Sequence, residues 1–165
     1  MEHKVRLSTY SLIMTAVGVV IILAVAVLKT LRGDVAMASV LVAMLVAICM
    51  LALFYMPVAI GVDGDVLFVR RPLRTKLIPL AEIESCRLMQ PTMAERRICG
   101  SGGWLGYWGR FSEPSIGRYF AYYGRASDCF LVRLRDGRQY LLGCDDPAAI
   151  VEAVNRRDQG QTAGN

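Results

Sequence analysis

The strongest hydrophobic pattern in the chain is a pair of long uncharged stretches near its N-terminus. No Asp, Glu, Lys or Arg occurs from Leu7 to Leu28, a run of 22 residues, or from Val35 to Val62, a run of 28. A helix rises about 1.5 Å per residue, so about 20 apolar residues cross a hydrocarbon core of roughly 30 Å. The pattern predicts an N-terminal segment, residues 1–62, with membrane-spanning helices at about 9–29 and 35–57.

A secretory signal peptide is one alternative for the first stretch, because Lys4 and Arg6 precede it. The apolar part of a signal peptide is about 7–15 residues long and ends at a cleavage site of small residues. Here the stretch is longer, it ends in Lys29-Thr-Leu-Arg32, and a second apolar stretch begins directly after Asp34. These features favour a helical hairpin over a cleaved signal or a buried pair of helices in a soluble domain.

Basic residues indicate the orientation of this hairpin. Lys4 and Arg6 precede the first stretch and four cations follow the second, whereas the short connection carries only Lys29 and Arg32. An excess of Lys and Arg marks the cytoplasmic side of a membrane. Both termini and the domain that follows the hairpin are therefore predicted to be cytoplasmic.

Small residues recur inside both stretches. Ser39, Ala43 and Ala47 follow one another at every fourth position of the second, and Gly18 lies midway along the first. Small side chains at this spacing let two helices approach closely. Packing within the hairpin is the preferred interpretation, and a seam with a second copy is the alternative. Neither stretch contains a charged residue, which argues against an ion path and a transporter.

From residue 58 the pattern changes to short segments of strand character separated by turns. Asp63-Gly64 and Asp136-Gly137 are typical hairpin turns. Seven strands are predicted, at residues 58–62, 66–69, 74–78, 83–89, 118–123, 129–135 and 139–142. A final helix follows, with Asp146 as its cap and Pro147 in its first turn, before a flexible tail at residues 158–165.

Several of these segments resemble a known family. The stretch Leu77-Ile-Pro-Leu-Ala-Glu-Ile-Glu-Ser85 resembles the IPL-x-x-I segment of bacterial pleckstrin-homology-like domains. The Gly-rich stretch 100–109 and the run from Gln139 into Asp146-Pro147 are similar to one membrane-anchored group of them. The resemblance covers residues 58–157 and the two preceding spans. It implies a two-helix transmembrane hairpin followed by a mainly β barrel of about seven strands and one C-terminal helix, at the bacterial inner membrane.

The first candidate site is a basic cluster just beyond the second stretch, made of Arg70, Arg71, Arg74 and Lys76. Each cation close to an anionic leaflet contributes about 1 kcal/mol, so the cluster is a candidate contact for anionic lipid. The alternative is that these charges only set the topology and keep the domain hydrated. In pleckstrin-homology domains that bind phosphoinositides, basic residues surround the first hairpin turn; here that turn is the acidic Asp63-Gly-Asp65.

The second candidate site is aromatic. Eight of the fourteen aromatic residues fall between Trp104 and Tyr123, in and after a glycine-rich segment. A phosphate-binding loop would need a Lys-Ser/Thr pair and a following helix, and neither is present. Two interpretations remain open: packing back on the domain, or contact with a partner or the membrane. The residues proposed for such a contact are Trp104, Tyr107, Trp108 and Phe111.

Chemistry of other kinds has little support. The five cysteines include no C-x-x-C pair and His3 is the single histidine, so no metal site or cofactor is predicted. The close carboxylate pairs Glu82/Glu84 and Asp145/Asp146 lack a nucleophile, and neither an enzyme nor a nucleic-acid partner is predicted. The expected function is a non-catalytic, membrane-tethered module presenting its domain to a protein partner or anionic lipid. The alternative is a structural subunit or assembly factor of a larger membrane complex, contacted through the hairpin.

Overall fold

The computed structural model describes residues 1–92 and 94–162, and it begins with two long apolar helices. Helix α1 spans Thr9–Leu31 and helix α2 spans Val35–Tyr55. At about 1.5 Å per residue they are about 34 Å and 31 Å long. Only 11% of the most apolar part of each helix is buried within the protein. Both helices are therefore long and apolar enough to cross a membrane, as predicted.

The two helices pack through residues other than the predicted small-residue stripe. Their buried apolar side chains include Ala26 on α1 and Ala38 and Leu45 on α2. Ser39, Ala43 and Ala47 are exposed, although the first two line a shallow groove beside α1. The stripe is therefore not buried within the hairpin, and its alternative role, as a seam with a second copy, stays a prediction. Because α2 is apolar on every side, its sequence does not mark the face that meets α1.

The strands form two open sheets. The first sheet is antiparallel, in the order β1-β2-β3-β4. The second has the order β5-β9-β10-β8-β7-β6, in which β10 and β8 are parallel. Among the described residues no ladder joins the sheets, so the predicted closed barrel is not confirmed. The strands are β1 Glu2–Lys4, β2 Ala59–Asp63, β3 Val66–Arg70, β4 Thr75–Pro79, β5 Ile83–Leu88, β6 Arg96–Gly103, β7 Gly106–Glu113, β8 Gly117–Tyr123, β9 Cys129–Leu134 and β10 Gln139–Gly143.

The main core lies between the sheets and the C-terminal helix α3, which spans Pro147–Thr162. Leu67 of β3, Phe130 of β9 and Ile150 of α3 are fully buried in one apolar cluster. Asp146 caps α3 as predicted, because its Oδ1 accepts from the Ala149 N–H at 3.1 Å. The helix continues past residue 157, where the flexible tail is predicted to begin. The end of that tail, residues 163–165, lies outside the described residues.

Seven of the strands confirm the predicted ones to within one residue at each end, and β1, β6 and β7 were not predicted. Strands β6 and β7 form a hairpin. They were not predicted because this glycine-rich segment shows no alternating pattern and glycine disfavours strands. Gly100 and Gly109 lie opposite each other with φ values of 126° and 125°. A Cβ on either would lie 2.2 Å from a carbonyl oxygen of the opposite strand. Glycine is therefore required at this pair of opposite positions in the hairpin.

The residues ahead of α1 belong to the domain that follows α2. The Met1 amino group donates to the Val62 carbonyl at 2.9 Å, and β1 pairs with β2 in an antiparallel register. The Ser8 N–H donates to the Gly124 carbonyl at 2.9 Å, one residue before α1 begins. His3 lies in β1 with its Nδ1 3.3 Å from Asp145. The β domain therefore contains both ends of the hairpin.

Candidate functional site

The predicted basic cluster is divided by the fold. Arg70 is exposed, but its Nη1 lies 2.8 Å from the Glu2 carboxylate of β1. Arg71 is only 9% exposed, and its Nε donates to the Arg74 carbonyl at 3.0 Å. Arg74 itself is exposed and forms no ion pair with any residue that the structure describes. The four cations therefore do not present one common surface.

Two of these cations point between the sheets, towards aromatic rings. The Arg71 guanidinium lies 5.9 Å from the Tyr55 ring and 5.6 Å from the Tyr122 ring. The Lys76 Nζ lies 5.8 Å from the Tyr140 ring. A cation over an aromatic face is attracted by its quadrupole. Burial raises the pKa of the Tyr122 hydroxyl despite the opposing charge of Arg71, so this hydroxyl stays neutral and accepts from Arg71 at 3.4 Å.

Three of the four predicted contact aromatics pack within the domain. Trp108 and Phe111 on β7 are 5% and 2% exposed. The Trp108 ring stacks on Tyr55, the last residue of α2, with centroids 5.6 Å apart. Tyr107 is half-buried and stacks on Tyr123 at 4.8 Å. Packing thus accounts for these rings, and Trp108 and Phe111 have almost no surface for a partner.

The fourth aromatic, Trp104, lies at the tip of the β6–β7 hairpin and contacts α1. The Leu105 N–H next to it donates to the Thr15 Oγ1 at 2.9 Å. A Cβ added to Gly18 would lie 2.3 Å from the Trp104 ring. Gly18, predicted to help pack the two helices, thus makes room for this ring instead. Gly18 lies nine residues past Thr9, which is about 13 Å along the helix.

A groove runs between the last turns of α2 and the β6–β7 hairpin. Its volume is about 650 Å³, and Ile48, Leu51, Tyr55 and Trp108 line it. We call this space the α2 groove. Arg97 and Arg110 also line it, and both side chains are exposed. The α2 groove therefore combines an apolar wall at the level of the apolar helices with two cations.

A second groove adjoins the first on the same sheet. It has a volume of about 570 Å³ and shares Arg110 and Phe120 with the α2 groove. Arg118 lines this second groove and is exposed. Within residues 1–92 and 94–162, no carboxylate forms an ion pair with Arg97, Arg110 or Arg118. The arginines thus form an unneutralised positive surface along both grooves.

The α2 groove also contains hydrogen-bond donors without acceptors. The indole Nε1 atoms of Trp104 and Trp108 are buried and find no partner among the described residues. Leaving a buried donor unsatisfied costs about 1–3 kcal/mol. Both rings line the α2 groove. Sequence reasoning selected the two tryptophans, but it gave no reason to connect them with Arg97, Arg110 or α2.

The carboxylates singled out in the sequence form surface ion pairs. Glu84 lies 3.1 Å from Arg133, and Glu82 lies 3.7 Å from Arg138. The acidic first hairpin turn is bound by Arg157 of α3, which donates to the Gly64 carbonyl and lies 3.1 Å from Asp65. One of the two carboxylates of that turn is thus paired within the chain itself.

Two glutamates on the other face of the second sheet, one buried and one half-buried, had no signal in the sequence. Glu113 is 2% exposed and accepts from the Thr92 hydroxyl at 2.7 Å. Glu95 accepts from the Tyr123 hydroxyl at 2.9 Å. Burial raises the pKa of the Glu95 carboxyl, partly offset by the hydrogen bond from Tyr123. Both groups hold the segment before β6 against the sheet.

Two apolar helices joined to a β domain with a C-terminal helix define the general class of this protein. Residues 58–158, more than half of the chain, match the family model described as Bacterial PH domain. The chain therefore belongs to the bacterial PH domain family, which confirms the resemblance seen in the sequence. No curated protein and no solved structure matches the chain. Family membership supports a non-catalytic interaction module.

Proposed function

We propose that this protein is a membrane-tethered binding module that holds its PH domain against the cytoplasmic face of the bacterial inner membrane, where the domain binds anionic lipid. The observation that carries the proposal is the direct attachment of the domain to both helices. The Ser8–Gly124 hydrogen bond lies at the start of α1, and the Tyr55–Trp108 stack lies at the end of α2. The Thr15–Leu105 hydrogen bond fixes the hairpin tip beside α1.

These contacts leave no flexible linker between the helices and the sheets. A domain on a long linker samples many orientations, whereas this domain presents one fixed side to the membrane that the helices would cross. The Gly-rich hairpin and the α2 groove lie on that side, because both contact the helices. The geometry suits a protein that recognises something at the membrane surface.

The position of β1 supports an uncleaved hairpin with its ends on one side. Cleavage after α1 would remove β1, which pairs with β2. Because β1 precedes α1 and β2 follows α2, the chain crosses the membrane twice and returns. Lys4 and Arg6 lie on the domain side, against Lys29 and Arg32 at the connection. The exposed arginines of the domain add to the first group, which favours the cytoplasm.

Unpaired cations favour anionic lipid over a protein partner as the ligand. Arg97 and Arg110 are exposed and line the α2 groove beside the end of α2, and the exposed Arg118 lines the adjoining groove. Each contributes about 1 kcal/mol near an anionic leaflet at physiological salt. The buried positions of Trp108 and Phe111 remove two of the aromatic anchors that a protein partner would use.

Lipid retention by the full chain tests this function. The protein is purified in mild detergent, incubated with equal amounts of phosphatidylglycerol and phosphatidylcholine, and analysed by native mass spectrometry. We expect retention of phosphatidylglycerol that weakens as salt rises. Equal retention of both lipids would contradict lipid binding. A protein partner, or a larger membrane complex contacted near Ser39 and Ala43, would then become the better explanation.

A further inference from the structure

We propose that the α2 groove binds a single anionic phospholipid, with the phosphate between Arg97 and Arg110 and one acyl chain along Ile48 and Leu51. This inference rests on the proposed function, and it names the site and the way in which the lipid is recognised. The ligand would come from the surrounding leaflet and not from solution.

The groove lies where a lipid would change from chain to headgroup. Ile48 and Leu51 lie seven and four residues before Tyr55, the end of α2, which is about 10 Å and 6 Å along the helix. Arg110 is opposite Phe120 in the β7–β8 register. The Phe120 ring stacks on Tyr55 at 6.5 Å. Arg110 therefore lies at the level of the helix end, and the apolar wall lies deeper.

The hairpin geometry supports the same placement. Trp104 at the tip lies beside Gly18, well inside the length of α1. Arg110 and Arg97 are six and seven residues back from that tip along β7 and β6, which is about 20 Å of extended strand. The hairpin is thus cationic at Arg110, where it leaves the helices, and the Arg97 guanidinium reaches back from the same end towards Gly102, since its Nη1 lies 3.3 Å from a Cβ placed there.

Charge points to a phosphate. Arg97 and Arg110 are exposed and have no ion pair among the described residues. A guanidinium pairs strongly with a phosphate, often through two parallel hydrogen bonds.

The dimensions suit one lipid molecule. The α2 groove has a volume of about 650 Å³, within the range of about 300–1,000 Å³ that is typical of small-ligand sites. It is open along the side formed by Leu51, which is 50% exposed. An acyl chain can therefore enter sideways from the bilayer, without passing through water.

Tryptophan fluorescence gives a readout confined to this groove, because the chain has only two tryptophans and both line it. The full chain is placed in phosphatidylcholine nanodiscs that contain a small fraction of acyl-brominated lipid. The brominated lipid carries either a phosphatidylglycerol or a phosphatidylcholine headgroup, and bromine quenches the indoles on contact. We expect the phosphatidylglycerol probe to reach half-maximal quenching at an about thirtyfold lower mole fraction than the phosphatidylcholine probe, because two arginines attract its net negative charge.

Two variants identify the residues. Replacing both Arg97→Gln and Arg110→Gln should make the two brominated lipids quench equally. Arg133→Gln is the matched control, because Arg133 is an exposed arginine paired with Glu84 and does not line the α2 groove. It should keep the preference for phosphatidylglycerol. Since all three side chains are exposed, these changes leave the apolar core intact.

Two results would overturn the inference: equal quenching by both lipids in the unmodified protein, or an unchanged preference in the double variant. Retention of phosphatidylglycerol in the mass-spectrometric experiment, combined with either result, would leave the proposed function standing and place the lipid elsewhere. Loss of both signals would contradict the site and the lipid-binding function together.

Discussion

The contact between Gly18 and Trp104 predicts that the effect of one substitution on the free energy of unfolding has opposite signs with and without the Trp104 ring. In Gly18→Ala, the new methyl carbon would lie 2.3 Å from Cζ3 of the Trp104 ring. Carbon atoms in good contact are about 3.5–4.0 Å apart, so the ring has to move by about 1.2–1.7 Å. The hairpin tip resists this movement because the Leu105 N–H is bound to Thr15.

Two opposing effects set the magnitude. Alanine is favoured over glycine in a helix interior by about 1 kcal/mol. Overpacking a filled site costs about 1–3 kcal/mol. With Trp104 present, Gly18→Ala should therefore change the free energy of unfolding by between zero and about −2 kcal/mol. With Trp104→Ala in the background the clash is gone, and the same substitution should stabilise the protein by about 1 kcal/mol.

A double-mutant cycle measures this coupling. The free energy of unfolding is obtained in detergent for the unmodified protein, both single variants and the double variant. We expect a coupling energy of about 1–3 kcal/mol between the two sites. Ala16→Leu is the control on α1, because Ala16 is exposed and its effect should be independent of Trp104. A Gly18→Ala effect that is equally stabilising in both backgrounds would refute the contact between the hairpin and the helix.

Three further predictions concern the helix seam, a half-buried carboxyl and a thiol. Because Ala38 is buried, Ala38→Leu should destabilise the helical hairpin by about 1–3 kcal/mol through overpacking. Ala43 is exposed, so Ala43→Leu should change the stability by less than about 0.5 kcal/mol. Thermal unfolding in detergent compares the two variants, and equal losses of stability would place the contact between the helices elsewhere. Burial raises the pKa of Glu95 above its ordinary value of 4.5, so its contribution to stability is complete below that value and is lost as pH rises through the raised pKa. Glu95→Gln should therefore reduce the fall in unfolding free energy between about pH 5 and about pH 8 in denaturant titrations, and an unchanged slope would contradict this. Cys99 is exposed, whereas burial raises the pKa of the Cys86 thiol to about 12. Maleimide should therefore label Cys99 before Cys86, as measured by peptide mass spectrometry. Labelling of Cys86 before Cys99 would show that strand β5 opens.

The parts of the fold that could be predicted from sequence are those fixed by local patterns. Strand β9 alternates apolar and polar residues and ends at Asp136-Gly137, so its position follows from the turn and the register. The two apolar helices follow from length alone. The hairpin β6–β7 could not be predicted in this way, because the glycines that its backbone requires are residues that ordinarily disfavour strands.

The candidate site depended on contacts that no local pattern encodes. Arg71 looked like part of a surface cluster, but its side chain is drawn inward by Tyr55 and Tyr122, which are far from it in the chain. Arg97 and Arg110 become candidate ligand-binding residues only because they line the α2 groove. Tertiary packing decides which cations stay unpaired, and a single sequence carries little information on that choice.

The pairing of β1 with β2 has a consequence for biosynthesis. The Met1 amine and its carbonyl partner on Val62 are 61 residues apart, and both helices lie between them. At about 5–20 residues per second, translation separates the two partners by several seconds. During that time β1 remains an unpaired strand, and its shortness and the charges of its own Glu2 and Lys4 discourage wrong pairing. Formation of the helical hairpin then brings the two ends together and removes much of the entropy of closing so long a loop. The packed pair of helices thus acts as a folding template, and the first sheet is completed only after α1 and α2 have met.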